Sequence, residues 1–271
     1  MTDNDTRLPA TLCVPAGVAA DYPIAVLVHG SGSLDRDETI YSNKPFAELA
    51  HGLARQGIAT LRYDKRTLVY SDRKVLSLSE ETIDDAISAI ALAQATTSGK
   101  VYVIGHSLGA MCAPWIASLS PQLGGIVMMA APARPLEDII VEQTDYLLPS
   151  GASDEFKADQ IQAMKERMPQ YFEGEIKDYD QVKTAQSLHL PILVLQGERD
   201  YQVRMTDFRL WQQALVGHQN AELHSYPGLN HLFHESNHPG ALSSPSDYLE
   251  SGEIPAAVID HIAGFIKRTS K

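Results

Sequence analysis

The sequence predicts an α/β fold: a doubly wound, mostly parallel sheet with helices on both faces and a helical cap inserted between two strands. Two observations predict it. Five short apolar runs lack the polar alternation of a half-exposed strand, which is typical of strands buried on both faces. Helical patterns lie between these runs, and strand–helix–strand repetition gives right-handed crossovers. The runs are 24–28, 58–63, 101–104, 126–129 and 192–195.

The remaining elements follow from local patterns along the chain. A short edge strand is expected at 12–14. A helix over 45–56 has an apolar stripe and ends at Gly57, a residue that commonly closes helices. A second helix, 79–95, has acidic residues in its first turn, where they favour the helix dipole. The remaining predicted elements are a helix over 110–118, a late strand over 221–226 and a last helix over 254–266.

One long stretch interrupts the alternation of strands and helices. Residues 134–188 hold no strand candidate, and Leu136, Ile139 and Ile140 have the spacing of an amphipathic helix. Such a stretch is either an elaborated crossover or a lid over a pocket. We therefore expect residues 1–133 and 189–271 to form the core, and 134–188 to form a helical cap.

Composition excludes several classes of function. The chain has 271 residues, with 22 Lys and Arg against 34 Asp and Glu, a net charge of −12. Nucleic-acid partners are disfavoured because a basic stripe is their usual footprint. No apolar run approaches the roughly 20 residues that span a bilayer, so no membrane partner is expected. The first residues lack the basic and apolar regions of a signal peptide, which favours a cytoplasmic location.

The strongest motif is Gly-His-Ser-Leu-Gly at 105–109, which fits G-x-S-x-G. It lies directly after a predicted buried strand and directly before a predicted helix. A turn this tight strains the backbone at the serine, so its neighbours must be small. It also places Ser107 near a helix N-terminus, where free N–H groups stabilise developing negative charge. We interpret Ser107 as a catalytic nucleophile.

A serine hydroxyl needs a base, and the base needs an orienting acid. In this type of fold the chain order is serine, acid, histidine. Asp200 follows the strand at 192–195, with Glu198 as the alternative. His231 follows a Pro-Gly turn after the late strand, which favours it among the ten histidines. Asp200 would fix the tautomer of His231, and His231 would take and return the proton.

Two backbone N–H groups are expected to form an oxyanion hole. Leu108 follows the nucleophile, and Ser31 lies in the loop after the first parallel strand, with Gly32 as the alternative to Ser31. Glycines in that loop let the backbone approach a substrate closely. The candidate substrate contacts are Gly30, Gly32, His106 and Tyr146.

Two charged clusters, 35–38 and 64–66, lie at predicted strand ends. They could contact substrate, but we favour mutual ion pairs that order the loops beside the oxyanion hole.

A second motif, His-Glu-Ser-Asn-His at 234–238, matches the zinc pattern H-E-x-x-H. That pattern binds zinc only on a helix, and Pro239-Gly240 follow at once. Cys13 and Cys112 are too few for a zinc knuckle or a disulfide framework. We expect no metal and no organic cofactor.

The motifs HGSG at 29–32, GHSLG at 105–109, GERD at 197–200 and LNH at 229–231 together resemble the α/β-hydrolase superfamily. HGSGSLDRDET at 29–39 and LRYDKRT at 61–67 are more narrowly similar to bacterial esterases related to dienelactone hydrolases and serine aminopeptidases. The resemblance implies a carboxylesterase acting on small esters. Dienelactone hydrolases proper have a cysteine nucleophile, which argues against that particular activity.

The resulting expectation is a serine hydrolase that cleaves small-molecule carboxylic esters through an acyl-enzyme. A peptidase, thioesterase, lactonase or perhydrolase would share the same three side chains. A ligand-binding protein on a hydrolase scaffold and a zinc hydrolase are alternatives of other classes. The oligomeric state is left open between a monomer and a homodimer.

Overall fold

The computed structural model of the chain describes residues 6–17, 20–75, 77–167 and 174–271. Residues 1–5, 18–19 and 76 of the predicted core and 168–173 of the predicted cap therefore lie outside the described residues. The strands found in the described part are β1 (Ala10–Cys13), β2 (Ile24–Val28), β3 (Ala59–Tyr63), β4 (Val101–His106), β5 (Gly125–Met129), β6 (Ile192–Gly197) and β7 (Ala221–Tyr226).

In the described residues these strands form one sheet of order β1-β3-β2-β4-β5-β6-β7. β1 runs antiparallel to β3 at one edge, and the other neighbours are parallel. Every residue of β2 to β6 is buried, which explains why their sequences do not alternate. The predicted doubly wound, mostly parallel sheet is confirmed.

Helices cover both faces of the sheet. Those seen in the described residues are α1 (Pro45–Arg55), α2 (Arg66–Val69), α3 (Asp84–Thr96), α4 (Leu108–Leu119), α5 (Leu136–Leu147), α6 (Asp154–Arg167), α7 (Glu175–Asp178), α8 (Gln181–Ser187), α9 (Met205–Ala214) and α10 (Ala256–Thr269). The predicted helix over 79–95 begins as a π-helical turn, Ser79–Ile83, which continues into α3. A 3₁₀ turn spans Pro245–Leu249. In the described part, no helix has both the length and the apolar character needed to cross a membrane.

Two apolar layers hold the helices against the sheet. On one face, Phe46 and Leu49 of α1 pack with Phe265 of α10. On the other, residues of α3, α4 and α9 form a second cluster that includes Trp211. Each fully buried aliphatic or aromatic side chain contributes roughly 1.5–3 kcal/mol. The layers therefore fix one edge of the sheet, where the carboxyl ends of β2, β4, β5 and β6 meet.

The segment between β5 and β6 is helical in its described part and comprises α5 to α8. α5 packs against α6, and Ile139 of α5 is fully buried. The expected amphipathic helix at Leu136, Ile139 and Ile140 is therefore α5. That this segment acts as a lid stays a prediction.

The root of this cap segment is tied to α9 by one buried carboxylate. Asp207 is fully buried and accepts hydrogen bonds from the backbone N–H groups of Ala133 and Arg134, at 2.9 and 3.0 Å. The Arg134 guanidinium also pairs with Asp207 at 2.8 Å and with Glu142 of α5 at 2.5 Å. The first residues of the cap are therefore fixed to the core.

Replacing Asp207 with alanine should lower the free energy of unfolding by about 3 kcal/mol, because it leaves a guanidinium and two amides without their buried acceptor. Urea denaturation followed by circular dichroism measures the loss. Asp145→Ala, which removes an exposed ion pair to Lys157, is the matched control and should have a much smaller effect. Equal losses in the two variants would contradict the role assigned to Asp207.

Candidate active site

Ser107 lies in the turn between β4 and α4 with a strained backbone, φ 54° and ψ −117°. The turn needs glycine on both sides. A Cβ on Gly105 would lie 2.3 Å from the carbonyl oxygen of Gly109, and one on Gly109 would lie 2.1 Å from that of Val28. The Ser107 N–H donates to the carbonyl of Met129 in β5 at 2.9 Å. The glycines therefore let α4 start against β2 and hold the serine at the edge of the sheet.

His231 lies in the loop after β7, and its Nδ1 is 2.6 Å from the Oδ2 atom of Asp200. His231 is 4% exposed and Asp200 is fully buried, so water does not compete for this contact. A carboxylate accepts at Nδ1, which places the proton there and leaves a lone pair on Nε2. This arrangement suits a histidine that takes a proton from a hydroxyl.

Asp200 is itself held in place by the loop after β6. Its Oδ1 accepts from the backbone N–H groups of Gln202 and Val203, at 2.7 and 3.0 Å. Glu198, the alternative acid, instead accepts from the Ser225 hydroxyl at 2.7 Å. The structure therefore brings Asp200, and not Glu198, to His231.

Ser107 and His231 line one cavity of about 300 Å³, together with Ser31 and Leu108. The first N–H groups of a helix have no intrahelical acceptor, and Leu108 begins α4. Within the described part of the chain, neither the Leu108 nor the Ser31 amide has a hydrogen-bond partner. Two unpaired amides beside a serine are what an oxyanion hole requires. Their role in catalysis stays a prediction.

The structure separates the four predicted substrate contacts. Gly30 and His106 line the cavity. Gly32 and Tyr146 are not among the described residues that line it. The Tyr146 ring stacks on Tyr201 at 5.5 Å, and its hydroxyl donates to the carbonyl of Ser243 at 2.9 Å.

The rest of the cavity wall is mostly apolar, and much of it comes from the cap. Leu136, Ile139 and Ile140 of α5 lie in this wall. The amphipathic pattern of α5 was their signal in the sequence, but it predicted no contact with substrate. Sequence reasoning also missed two polar residues of the wall, Gln143 and Gln202; a third, Glu38, belongs to the charged cluster at 35–38. The apolar wall includes Leu34, Leu136, Ile139, Ile140, Met164 and Val203.

The charged clusters at the strand ends pair with opposite charges, which orders the loops beside the serine. Arg36 pairs with Asp64 at 2.8 Å, and Lys65 pairs with Glu81 at 2.6 Å. Lys65 and Glu81 are both buried, and the Lys65 ammonium also donates to the carbonyl of Gly30 at 3.0 Å.

His29 anchors the start of the same loop as a neutral ring. Its Nε2 donates to the carbonyl of Asp35 at 2.9 Å, and the ring packs against Phe46 and Tyr63. Burial lowers the pKa of His29 to about 4, although the nearby charge of Glu38 opposes the shift.

The H-E-x-x-H motif at 234–238 does not form a helix in the structure. His234 pairs with Glu48 at 3.0 Å, and Nδ1 of His238 bonds to the carbonyl of Leu242 at 3.0 Å. A search of the described residues finds no group of three or more His, Cys, Asp or Glu side chains placed to hold a metal ion.

Comparison with known proteins identifies relatives of this chain. A model of the family described as "Alpha/beta hydrolase family" matches residues 25–244. Esterase EstD of Thermotoga maritima is 37% identical over an alignment of 270 residues, which covers 94% of this chain and 64% of that protein. The chain thus spans less than two thirds of the length of this relative.

Solved structures with similar folds are more distant in sequence. Est1E of Butyrivibrio proteoclasticus, solved with bound ferulic acid, has a TM-score of 0.62 at 15% identity, covering 97% of this chain and 95% of that one. Proline iminopeptidase of Mycobacterium smegmatis has a TM-score of 0.61 at 15% identity, covering 96% and 94%. At such identities the likeness shows the fold alone.

We expect the neutral, buried His29 to make the protein less stable in mild acid. Between the unfolded pKa of 6.5 and the folded pKa of about 4, only the unfolded chain binds the proton, so stability falls as pH falls. From pH 7 to pH 5, wild-type protein should lose about 2 kcal/mol more than His29→Gln. Urea denaturation at both pH values measures the difference, and parallel losses would contradict it.

Proposed function

The chain belongs to the α/β-hydrolase family, and from this membership and the geometry of the cavity we propose that it hydrolyses carboxylic esters through Ser107, His231 and Asp200. The observation that carries the proposal is the convergence of three loops on one cavity. The strained Ser107 and the Leu108 amide follow β4, the Ser31 amide follows β2, and the histidine paired to a buried carboxylate follows β7; neither amide has a hydrogen-bond partner among the described residues.

In the acylation step, Ser107 Oγ attacks the carbonyl carbon of the ester while His231 Nε2 takes its proton. The Leu108 and Ser31 amides stabilise the oxyanion of the tetrahedral intermediate. Asp200 stabilises the imidazolium that forms. The carbon–oxygen bond of the leaving group then breaks, and His231 returns the proton to the departing alcohol.

In the deacylation step, water takes the place of the alcohol. His231 removes a proton from the water, and the resulting hydroxide attacks the acyl carbon through a second tetrahedral intermediate. The bond to Ser107 Oγ breaks, the serine regains its proton from His231, and the carboxylic acid leaves. This chemistry needs only side chains and amides of the chain.

The cavity supports a small and largely apolar acyl or alcohol group. Its volume of about 300 Å³ is at the lower end for ligand sites. Apart from Gln143, the wall from α5 and α6 is apolar, which favours burial of hydrocarbon. Ester hydrolysis is also what the name of the 37% identical relative states, and we favour it over the peptidase, thioesterase and lactonase alternatives for that reason.

Ser107→Ala should reduce hydrolysis of a short-chain p-nitrophenyl ester by at least about 10⁴-fold, because no other group replaces the nucleophile. The initial rate and labelling by a fluorophosphonate probe are both measured. Ser118→Ala, an exposed serine on the same helix, is the control and should retain both signals. Turnover that survives in Ser107→Ala, or that disappears from wild type with EDTA, would refute the serine mechanism.

The acid is tested by a matched pair of amide substitutions. Asp200→Asn should lower kcat on the order of 10³- to 10⁴-fold, because the amide favours the wrong tautomer of His231. Glu198→Gln should stay close to the wild-type rate, because that carboxylate bonds to Ser225 and not to the base. The reverse pattern would show that Glu198 is the acid.

A further inference from the structure

Glu38 is a buried carboxylate beside the cavity that the proposed mechanism does not use. Its side chain is 1% exposed, and its backbone has a positive φ of 54°, which is uncommon for a residue with a side chain. Its Oε1 accepts a hydrogen bond from the Gly30 N–H at 2.7 Å. Burial of a charge on a strained backbone is costly, and such costs cluster where geometry matters for function.

His106 links this carboxylate to the loop of the base. Its Nδ1 is 3.0 Å from Oε2 of Glu38, an ion pair in which the N–H is not well aligned. Its Nε2 donates to the backbone carbonyl of His231 at 2.8 Å. Both ring nitrogens lie beside acceptors, an arrangement that favours a proton on each.

The charges of the two side chains support each other. Burial opposes the charged form of both, but the carboxylate raises the pKa of His106 and the imidazolium lowers the pKa of Glu38. His106 is therefore a poor candidate for a direct contact to substrate, since both of its polar atoms are occupied inside the protein.

The Glu38 contact holds the residue that precedes the amide expected to bind the oxyanion. Gly30 is held at its N–H by Glu38 and at its carbonyl by Lys65, at 2.7 and 3.0 Å. A trans peptide is planar, so the carbonyl of Gly30 and the N–H of Ser31 point in opposite directions. The Lys65 contact therefore sets the direction of the Ser31 N–H, and the Glu38 contact fixes the preceding peptide, from which the Gly30–Ser31 peptide continues.

We propose that Glu38 and His106 are positioning residues. Through the contacts Gly30–Glu38–His106–His231 they hold the Ser31 amide and the His231 loop in a fixed position and orientation relative to each other. The inference rests on the proposed function, since it assigns both residues to the same reaction. It replaces the substrate contact first expected for His106 with an indirect role.

The test compares Glu38→Ala with Glu48→Ala. Glu48 is a matched control because its Oε2 also accepts from a backbone N–H, that of Ile254 at 2.9 Å, and pairs with a histidine, His234, at 3.0 Å. Glu48 does not line the cavity. Both variants lose a carboxylate, an amide contact and a histidine partner, but only one of them loses the contact to Gly30.

For Glu38→Ala we expect kcat to fall on the order of 10²-fold with little change in KM, because a misplaced amide weakens binding of the transition state and not of the ground state. Glu38→Gln should recover a large part of kcat, since its amide oxygen can still accept from Gly30. Glu48→Ala should keep kcat near wild type. A Glu38→Ala kcat equal to that of Glu48→Ala, or a change in KM alone, would overturn the proposal.

If Glu38→Ala does not fold, as judged by its thermal unfolding, His106→Gln provides the second variant. Its amide keeps a donor for the His231 carbonyl but loses the contact to Glu38. A lower kcat at unchanged KM supports the positioning role, and wild-type kinetics in a folded His106→Gln would overturn it.

The rate of labelling by a fluorophosphonate separates this proposal from the proposed function. If wild type is labelled at Ser107 but hydrolyses no ester, ester hydrolysis fails while slower labelling of Glu38→Ala still supports positioning. If wild type hydrolyses esters and both proteins are labelled at the same rate, positioning alone fails. Absence of both labelling and turnover in wild type would overturn both.

Discussion

The site depends on one steric constraint, the close approach of the backbone at 105–109 to the end of β2. With no side chain at Gly109, α4 begins against the carbonyl of Val28, a contact that any Cβ would prevent. The same approach puts the loop after β2 next to the serine, since a Cβ on Gly30 would lie 3.1 Å from that of Ser107. Ser107 and the loop expected to form the oxyanion hole are therefore adjacent because of how two strands end, and the cap is not needed to bring them together.

Around this contact the protein places charges where water cannot reach them. The pairs Lys65–Glu81 and Asp200–His231 are buried, like the pair of Glu38 with His106. Each buried charge costs several kcal/mol of desolvation, which a partner and backbone hydrogen bonds offset. The low dielectric constant around such pairs strengthens the attraction between the two side chains, and this attraction restricts their orientations. An apolar replacement of similar volume would often be as stable, so the pairs are better explained by the geometry they impose on Gly30 and His231 than by stability.

The sequence predicted the sheet well because burial on both faces leaves a continuous apolar run, and it predicted the tight turn at Ser107 because such a turn requires glycines at fixed positions. Those signals are local. The contact of Glu38 with His106 could not be predicted, because nothing in a charged run says which carboxylate turns inward and reaches a distant histidine. Tyr146 shows the opposite limit. An aromatic residue on an amphipathic helix suits a cavity wall and a packing site equally well, and here it packs on Tyr201.

The cap contacts the loop of Asp200 through a hydrogen bond within the protein. Gln143 of α5 donates to the carbonyl of Gln202 at 2.9 Å, and the N–H of Gln202 donates to Asp200. A few residues later the same loop enters α9, where Asp207 holds the first residues of the cap. The chain after Asp200 thus contacts the cap at two points, Gln202 in the loop and Asp207 in α9. Substitutions in the cap that alter the apolar wall can therefore leave Asp200 untouched, whereas changes at Gln143 remove a contact to the residue whose N–H holds Asp200.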